Sequence, residues 1–142
     1  VGARPIWTPG LGLDGAVEAG LAHLAAEGTD RAVVAHSDLP LAAGLAALGS
    51  VDGVVLVPDR HHDGTNVIAV PTDAGFRFSY GPGSCAKHEA EATRLGLAVE
   101  VRPHARLGWD VDVPADLSPP GGLPPGLLPN RPLTIASGTP TP

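Results

Sequence analysis

The stretch DRHHDGTNVIAVPTDAGFRFSYGPGSCAKH, from Asp59 to His88, is the part of this 142-residue chain that decides its fold and its chemistry. Two turn-rich segments, Asp59–Asn66 and Tyr80–Ser84, lie on either side of a strand-like run. Glycine lets the main chain approach an anion closely because it has no Cβ, and backbone N–H groups in such turns can surround a phosphate. The stretch therefore predicts a phosphate-binding region beside a β-strand.

Apolar runs that alternate with helical patterns predict an α/β protein. Strands are predicted at Arg31–Ala35, Val54–Val57, Asn66–Val70, Phe76–Ser79, Ala98–Val101 and Leu107–Val113. Helices are predicted at Asp14–Glu27 and Ser84–Leu95, with a shorter one ending near Leu48. Strands separated by helices favour parallel βαβ units and an α/β sandwich, in which ligands bind at the carboxyl ends of strands.

Polar residues and glycines predict where the helices begin and end. Asp14 and Ser84 are candidate N-caps, because their side chains can accept hydrogen bonds from free N–H groups of the first turn. Gly28 and Gly96 are candidate helix stops, because glycine readily adopts the left-handed conformation found there. Pro114 is expected to open a further helical turn.

The bulk composition limits the classes of function. The formal net charge is -6, which argues against general nucleic-acid binding because that needs a basic face. Cys85 is the only cysteine, so the chain has no internal disulfide, which suits the reducing cytoplasm. No apolar run is long enough to span a bilayer, which argues against a membrane partner. We expect one cytoplasmic domain over residues 1–117, followed by an extended or disordered Pro/Gly-rich tail over 118–142.

Three aspartates are candidate metal ligands. Asp38 follows a predicted buried strand, where it could bind Mg²⁺ together with substrate phosphate oxygens or could instead cap the next helix. Asp110 and Asp112 are two residues apart, so in a strand they would share one face. They could line the same magnesium site, or they could lie on an exposed edge strand. One carboxylate from each of two strand ends is a common way to hold Mg²⁺ over a sheet.

The glycine turns supply candidate phosphate ligands. Ser84 begins a predicted helix whose N–H groups and dipole favour an anion, and the hydroxyls of Thr65 and Ser84 would add two donors. The alternative is two ordinary tight turns, since each turn alone is a weak signal. Arg60, Lys87 and His88 are nearby cations that could offset phosphate charge, although a solvated surface position explains Lys87 better.

Taken in order along the chain, these segments resemble one protein family. The segments are Ser37-Asp38-Leu39-Pro40-Leu41, Pro58-Asp59-Arg60, Asp63-Gly64-Thr65-Asn66, Phe76 to Ser84, His88, Glu91-Ala92, and Asp110 to Leu117. They are similar to motifs of the guanylyltransferases that activate 2-phospho-L-lactate or phosphoenolpyruvate in the biosynthesis of the deazaflavin coenzyme F-420. The resemblance runs from the Asp14 helix to Leu117, and it is the combined order and spacing that is specific.

The resemblance implies a fold and a set of site residues. The fold would be a three-layer α/β sandwich of the nucleotidyltransferase, glycosyltransferase-A-like type, with a mixed and mostly parallel sheet over residues 1–117. The site expected from the residues and the resemblance together comprises the catalytic metal ligands Asp38 and Asp110, the further metal ligand Asp112, and the substrate-binding residues Thr65, Gly81, Ser84, Arg60 and His88.

The resemblance also implies a reaction that transfers GMP from GTP. A phosphate oxygen of the acceptor would attack the α-phosphorus of GTP, and pyrophosphate would leave. Since a phosphate monoester has a second pKa of about 6, the nucleophile is already ionised at neutral pH and no general base is needed. Catalysis would then consist of aligning two anions and neutralising their charge with Mg²⁺.

The sequence departs from the family on the side expected to bind the nucleotide. Family members begin with a strand and a glycine- or alanine-rich loop bearing Lys or Arg, and no such segment precedes Val1, so an N-terminally truncated domain is expected. Asp14 stands where the family usually has Asn, and Cys85 where it often has an aromatic residue. These departures leave open a non-catalytic phospho-acid-binding module or an inactive fragment. An exposed sheet edge also leaves open a homodimer.

Overall fold

The computed structural model describes residues 3–124, which form a four-stranded sheet with three helices. The strands are β1 (Arg31–Ala35), β2 (Val54–Pro58), β3 (Thr65–Pro71) and β4 (Val99–Val101). The helices are α1 (Gly12–Ala26), α2 (Leu45–Gly49) and α3 (Ser84–Arg94), and Pro114–Leu117 forms a 3-10 turn. The prediction of a mixed α/β protein is confirmed. Within residues 3–124, the helices lack the length and apolar character that crossing a bilayer would require.

The sheet is mixed, with the strand order β1-β3-β2-β4. Strand β3 runs antiparallel to both β1 and β2, whereas β2 and β4 pair in parallel, so three of the four strands point in one direction. The expectation of a mostly parallel sheet is wrong for the strand pairings, because two of the three are antiparallel and β2 and β3 form a hairpin. Residues 59–64 are too few for a parallel crossover, which needs roughly a dozen residues or more.

The core lies on both faces of the two central strands. Leu56 and Ile68 pack on the face that α1 and α3 cover. Val57 and Val67 pack on the other face, where Leu48 of α2 joins them. Burial on both faces explains why these strands read as continuous apolar runs rather than as an alternating pattern. Because β3 runs antiparallel, its first residue lies near the carboxyl ends of β1 and β2.

The predicted strand at Phe76–Ser79 is wrong, although its alternating pattern correctly identifies the buried side chains. Phe76 and Phe78 are buried, but the segment is extended without pairing to a strand. Its N–H groups instead donate to side chains of the two flanking helices. The donors Arg77, Phe78, Ser79 and Tyr80 meet the acceptors Glu91, Glu18, His88 and Asp14, respectively. The segment is therefore held between α1 and α3 by side chains.

The predicted strand at Leu107–Val113 is also wrong. The N–H groups of Asp112 and Val113 donate to the Asp116 carboxylate at 3.0 and 2.9 Å. Within the described part of the chain, the only backbone–backbone hydrogen bond from this segment to a residue near the sheet runs from the Val111 N–H to the Asp38 carbonyl, at 3.1 Å. The segment is thus a loop that turns back on itself, although it still approaches the end of β1. The 3-10 turn that follows confirms the helical turn predicted at Pro114.

The predicted helix stops are confirmed, but the predicted N-caps are wrong. Gly28 and Gly96 follow α1 and α3 with φ of 79° and 68°. Helix α1 begins earlier than expected, at Gly12, so Asp14 lies in its first turn. Helix α3 has Gly83 rather than Ser84 as its N-cap. The side chains of both predicted caps instead bind more distant parts of the chain, because Asp14 accepts the N–H of Tyr80 and Ser84 accepts the N–H of Thr65. Residues 125–142 of the predicted tail lie outside the described residues.

Candidate functional site

A cleft of 250 Å³ opens where β1 and β2 end and where β3 and α3 begin. The predicted site residues that line it are Asp38, Thr65, Gly81, Ser84, Asp110 and Asp112. They come from four separate segments of the chain, so the sheet and α3 are what bring them together. The expectation that ligands bind at the carboxyl ends of the strands therefore agrees with the position of this cleft.

Two of the predicted substrate-binding residues do not line the cleft. His88 is completely buried behind Thr65. The guanidinium of Arg60 donates to Asp110 Oδ1 at 3.0 Å and to Asp116 Oδ1 at 2.8 Å, and it lies 4.8 Å from the centre of the Trp109 ring. Both residues can therefore influence the cleft only through the side chains that they contact, which are Thr65 for His88 and Asp110 for Arg60.

Two hydroxyl groups, at the start of β3 and of α3, form part of the cleft wall. Thr65 and Ser84 are 2% and 1% exposed. The N–H of Thr65 donates to Ser84 Oγ at 2.9 Å, and the two hydroxyl oxygens are 3.5 Å apart. The ring of His88 contacts Thr65 Oγ1 through Nδ1 at 2.9 Å. This network fixes both hydroxyls at the wall of the cleft.

The first turn of α3 offers fewer free N–H groups than the sequence predicts. The N–H of Gly83 donates to Asp63 Oδ2, that of Cys85 to the Asp63 carbonyl, and that of Ser84 to the Gly81 carbonyl. Asp63 thus caps the helix from the β2–β3 loop. Among the described residues, the N–H of Gly81 has no acceptor, and it lies in the wall of the cleft. An anion would therefore meet the Gly81 amide and the hydroxyls rather than the helix end itself.

The β2–β3 loop is organised by the carboxylate of Asp59. It accepts the N–H groups of His61, Asp63 and Gly64 at 2.8, 3.0 and 2.8 Å. Burial tends to raise the pKa of Asp59, but these three bonds together hold it below its ordinary value. A Cβ at Gly64 would lie 2.8 Å from Asp59 Oδ2, so a larger residue here would displace the carboxylate. The loop is therefore rigidly attached to the first residue of β3.

Another part of the cleft brings together two segments that are far apart in sequence, one with Asp38 and one with Asp110. The bond from Val111 N–H to the Asp38 carbonyl places the Asp110 loop against the end of β1. Asp110 Oδ1 accepts from Arg60, while Asp110 Oδ2 and the Asp38 carboxylate accept no hydrogen bond from any described residue. Carboxylate oxygens of this kind suit Mg²⁺, which binds one or two carboxylates together with phosphate oxygens and water.

The third predicted metal ligand has less support from the geometry. Asp112 lines the cleft, but no group of three His, Cys, Asp or Glu side chains within residues 3–124 is arranged to hold a metal ion. The donor set that fits magnesium is therefore the pair of Asp38 and Asp110. Direct coordination by Asp112 stays a prediction.

A comparison with protein-family models identifies the relationship. Residues 8–119 match the family described as guanylyl transferase CofC like. The chain belongs to this family.

Curated members of the family include several similar proteins. The phosphoenolpyruvate guanylyltransferase of Conexibacter woesei is 41% identical over 113 residues, which cover 75% of this chain and 51% of that protein. That of Sphaerobacter thermophilus is 34% identical over 122 residues, covering 82% and 58%. The 2-phospho-L-lactate guanylyltransferase of Natrialba magadii is 41% identical over 73 residues, covering 51% and 30%. The chain spans about half the length of the curated relatives it matches first.

Several residues that shape this family member's site were missed by the sequence analysis. Asp116 was not recognised, although its carboxylate accepts hydrogen bonds from Arg60 and from the N–H groups of Asp112 and Val113. Asp14 accepts the N–H of Tyr80 at 2.8 Å and thereby fixes the glycine turn. The bond from Arg60 to Asp116 and the bond from Tyr80 to Asp14 join residues that are far apart in sequence, so they leave no local pattern. Cys85 is buried, and burial raises the pKa of its thiol, which disfavours a nucleophilic role.

Proposed function

We propose that the protein transfers GMP from GTP to the phosphate of phosphoenolpyruvate or 2-phospho-L-lactate and releases pyrophosphate. The observation that carries the proposal is that Thr65, Gly81, Ser84, Asp38 and Asp110 line the same cleft. Donors for a phosphorylated acid and carboxylates for a cation are what phosphoryl-group transfer between two anions requires. The proposal includes the biosynthesis of coenzyme F-420 as the pathway and the cytoplasm as the location.

The acceptor is held by neutral donors in this proposal. The Thr65 and Ser84 hydroxyls and the Gly81 amide can each donate to an oxygen of the acceptor's phosphate or carboxylate. Within residues 3–124 no Lys or Arg lines the cleft, so orientation by these donors replaces a direct cationic grip. The names of the curated relatives supply the two candidate acceptors.

Asp38 and Asp110 would hold Mg²⁺ in the same cleft. The bound ion would supply charge neutralisation for the phosphates of both substrates. Arg60 keeps the Asp110 side chain in place through Oδ1 and leaves Oδ2 for the cleft. The phosphate of the acceptor is the nucleophile, and its ionisation at neutral pH removes the need for a protein base. A purely binding role is not favoured, because the carboxylates and the acceptor-binding residues share one cleft.

The experiment uses the complete gene product with GTP, MgCl₂ and each acceptor, and it measures pyrophosphate release. Asp38→Asn and Asp110→Asn should each reduce kcat by roughly 100-fold or more, because a carboxylate is lost where charge develops. Asp73→Asn is the matched control, since Asp73 is exposed and lies outside the cleft. Absence of release with both acceptors would refute the proposal, as would full activity of both cleft variants. A homodimer stays a prediction that light scattering on the same sample can test.

A further inference from the structure

His88 is a buried polar side chain in an apolar environment. It is 0% exposed, and the rings of Phe76, Phe78 and Tyr80 lie 6.0, 5.8 and 5.0 Å from its own. Burial disfavours the charged imidazolium. The pKa of His88 is accordingly lowered to about 4, mainly by burial, so the ring is neutral at physiological pH. A neutral ring carries one proton, which must be on one of its two nitrogens.

The hydrogen bonds of the ring decide which nitrogen carries that proton. The N–H of Ser79 points at Nε2 at 3.0 Å, so Nε2 must be the acceptor. The proton is therefore on Nδ1, which lies 2.9 Å from Thr65 Oγ1 and donates to it. In the opposite tautomer, the Nε2–H of His88 and the N–H of Ser79 would point at each other, and neither donor would have an acceptor. Such an unsatisfied buried donor would be costly.

This tautomer determines what the Thr65 hydroxyl can do. Because Thr65 Oγ1 already accepts a hydrogen bond from His88, its own O–H must donate in another direction. Ser84 Oγ accepts the N–H of Thr65 in the same way. At 3.5 Å the two hydroxyl oxygens interact weakly, so each O–H can point into the cleft. Both hydroxyls then present donors to the anionic phosphate and carboxylate oxygens of the phosphorylated acid.

We propose that His88 is a positioning residue that fixes the Thr65 hydroxyl as a hydrogen-bond donor to an anionic oxygen of the bound phosphorylated acid. This inference rests on the proposed function, since it specifies how the acceptor is oriented there. His88 does not touch the substrate and acts only through Thr65. The alternative is a purely structural role, in which the ring matters because it supports the Phe76–Tyr80 segment through Ser79.

Two conservative variants separate these roles. In His88→Asn, the side-chain amide is at the position of Nδ1 and retains the donor to Thr65, while the bond to Ser79 is lost. In His88→Gln, the amide reaches the position of Nε2 and retains an acceptor for Ser79, while the donor to Thr65 is lost. Calorimetry with phosphoenolpyruvate and MgCl₂ on the complete gene product gives the affinity of each variant. Urea unfolding gives the stability of each.

The positioning role predicts different affinities for the two variants. His88→Gln should raise the Kd for phosphoenolpyruvate by about tenfold, the effect of one misdirected hydrogen bond, and His88→Asn by no more than about threefold. In a Thr65→Val background, His88→Gln should have no further effect on Kd. Equal losses of affinity in the two variants, or a larger loss in His88→Asn, would overturn the inference.

A measurement on the wild-type protein tests the inference even where a variant does not fold. Long-range ¹H–¹⁵N correlation spectra distinguish the two neutral tautomers of histidine, and we expect His88 to be protonated on Nδ1. Protonation on Nε2 would overturn the inference. Binding of phosphoenolpyruvate in the expected order of variants, without transfer of GMP from GTP, would refute the proposed function alone. A wild-type protein that binds neither phosphoenolpyruvate nor 2-phospho-L-lactate would refute both.

Discussion

Acidification should destabilise the protein through His88 before its carboxylates contribute much. The ring has a pKa of about 4 in the folded protein and an ordinary value of 6.5 in the unfolded chain. Burial lowers the folded value most, and Lys87 and His36 lower it further, whereas Asp14 acts to raise it. Since the unfolded chain binds the proton more tightly, the free energy of unfolding must fall as the pH drops from the unfolded pKa towards the folded one.

The size of this loss follows from the difference between the two pKa values. The full separation corresponds to at most about 3 kcal/mol, and about 2 kcal/mol of it should be lost between about pH 7 and about pH 4.5. Asp59 and the other acids with lowered pKa values lose most of their contribution at lower pH, as they become protonated. The window above about pH 4.5 therefore isolates His88.

Urea unfolding at several pH values in this window measures the effect, with His88→Gln as the control. The variant has no ionisable group at this position, so its free energy of unfolding should vary less with pH by about 2 kcal/mol. Every other titrating group is common to both proteins and cancels in the comparison. Parallel pH dependences in the two proteins would refute the reasoning. They would mean that residue 88 is not a buried neutral imidazole in the folded state.

Three further perturbations test other parts of the fold. Gly53→Ala should cost about 3 kcal/mol in urea unfolding, because a Cβ would lie 2.3 Å from the Ala98 carbonyl at a φ of +77°. The control Gly96→Ala, at a φ of +68° with open space around it, should cost only about 1 kcal/mol, and equal costs would contradict the contact. Asp59→Asn should cost about 2 kcal/mol and speed proteolysis of the β2–β3 loop, whereas an unchanged cleavage rate would show that the carboxylate does not order it. Asp116→Asn should raise the Mg²⁺ concentration for half-maximal activity severalfold, since it releases the Asp110 loop, and an unaltered Mg²⁺ requirement would argue against this coupling.

Much of the secondary structure could be predicted because it depends on local patterns. The apolar runs of β2 and β3 and the helix stops at Gly28 and Gly96 are properties of neighbouring residues. The same local rules fail at Phe76–Ser79. Its alternation correctly gives the buried face, but a strand also needs a partner strand, and here the partners are side chains of α1 and α3.

In the candidate site, too, some residues could be predicted from the sequence and some contacts could not. The order of the motifs was enough to predict that Asp38, Thr65 and Ser84 belong to one site, and all three line the same cleft. The sequence could not show that Arg60 is held by Asp110 and Asp116 instead of facing the substrate, because that depends on how the two loops meet.

The sequence by itself determined the family, the α/β class and the residue types at the cleft, since these follow from composition, spacing and order. Tertiary structure alone decided the strand directions, the supports of the Asp110 loop and the proton position on His88. The physical reason is that a hydrogen bond is specified by the positions of both partners. Ser79, His88 and Thr65 acquire their roles only when α3 packs against the sheet and places them within 3 Å of one another's polar atoms.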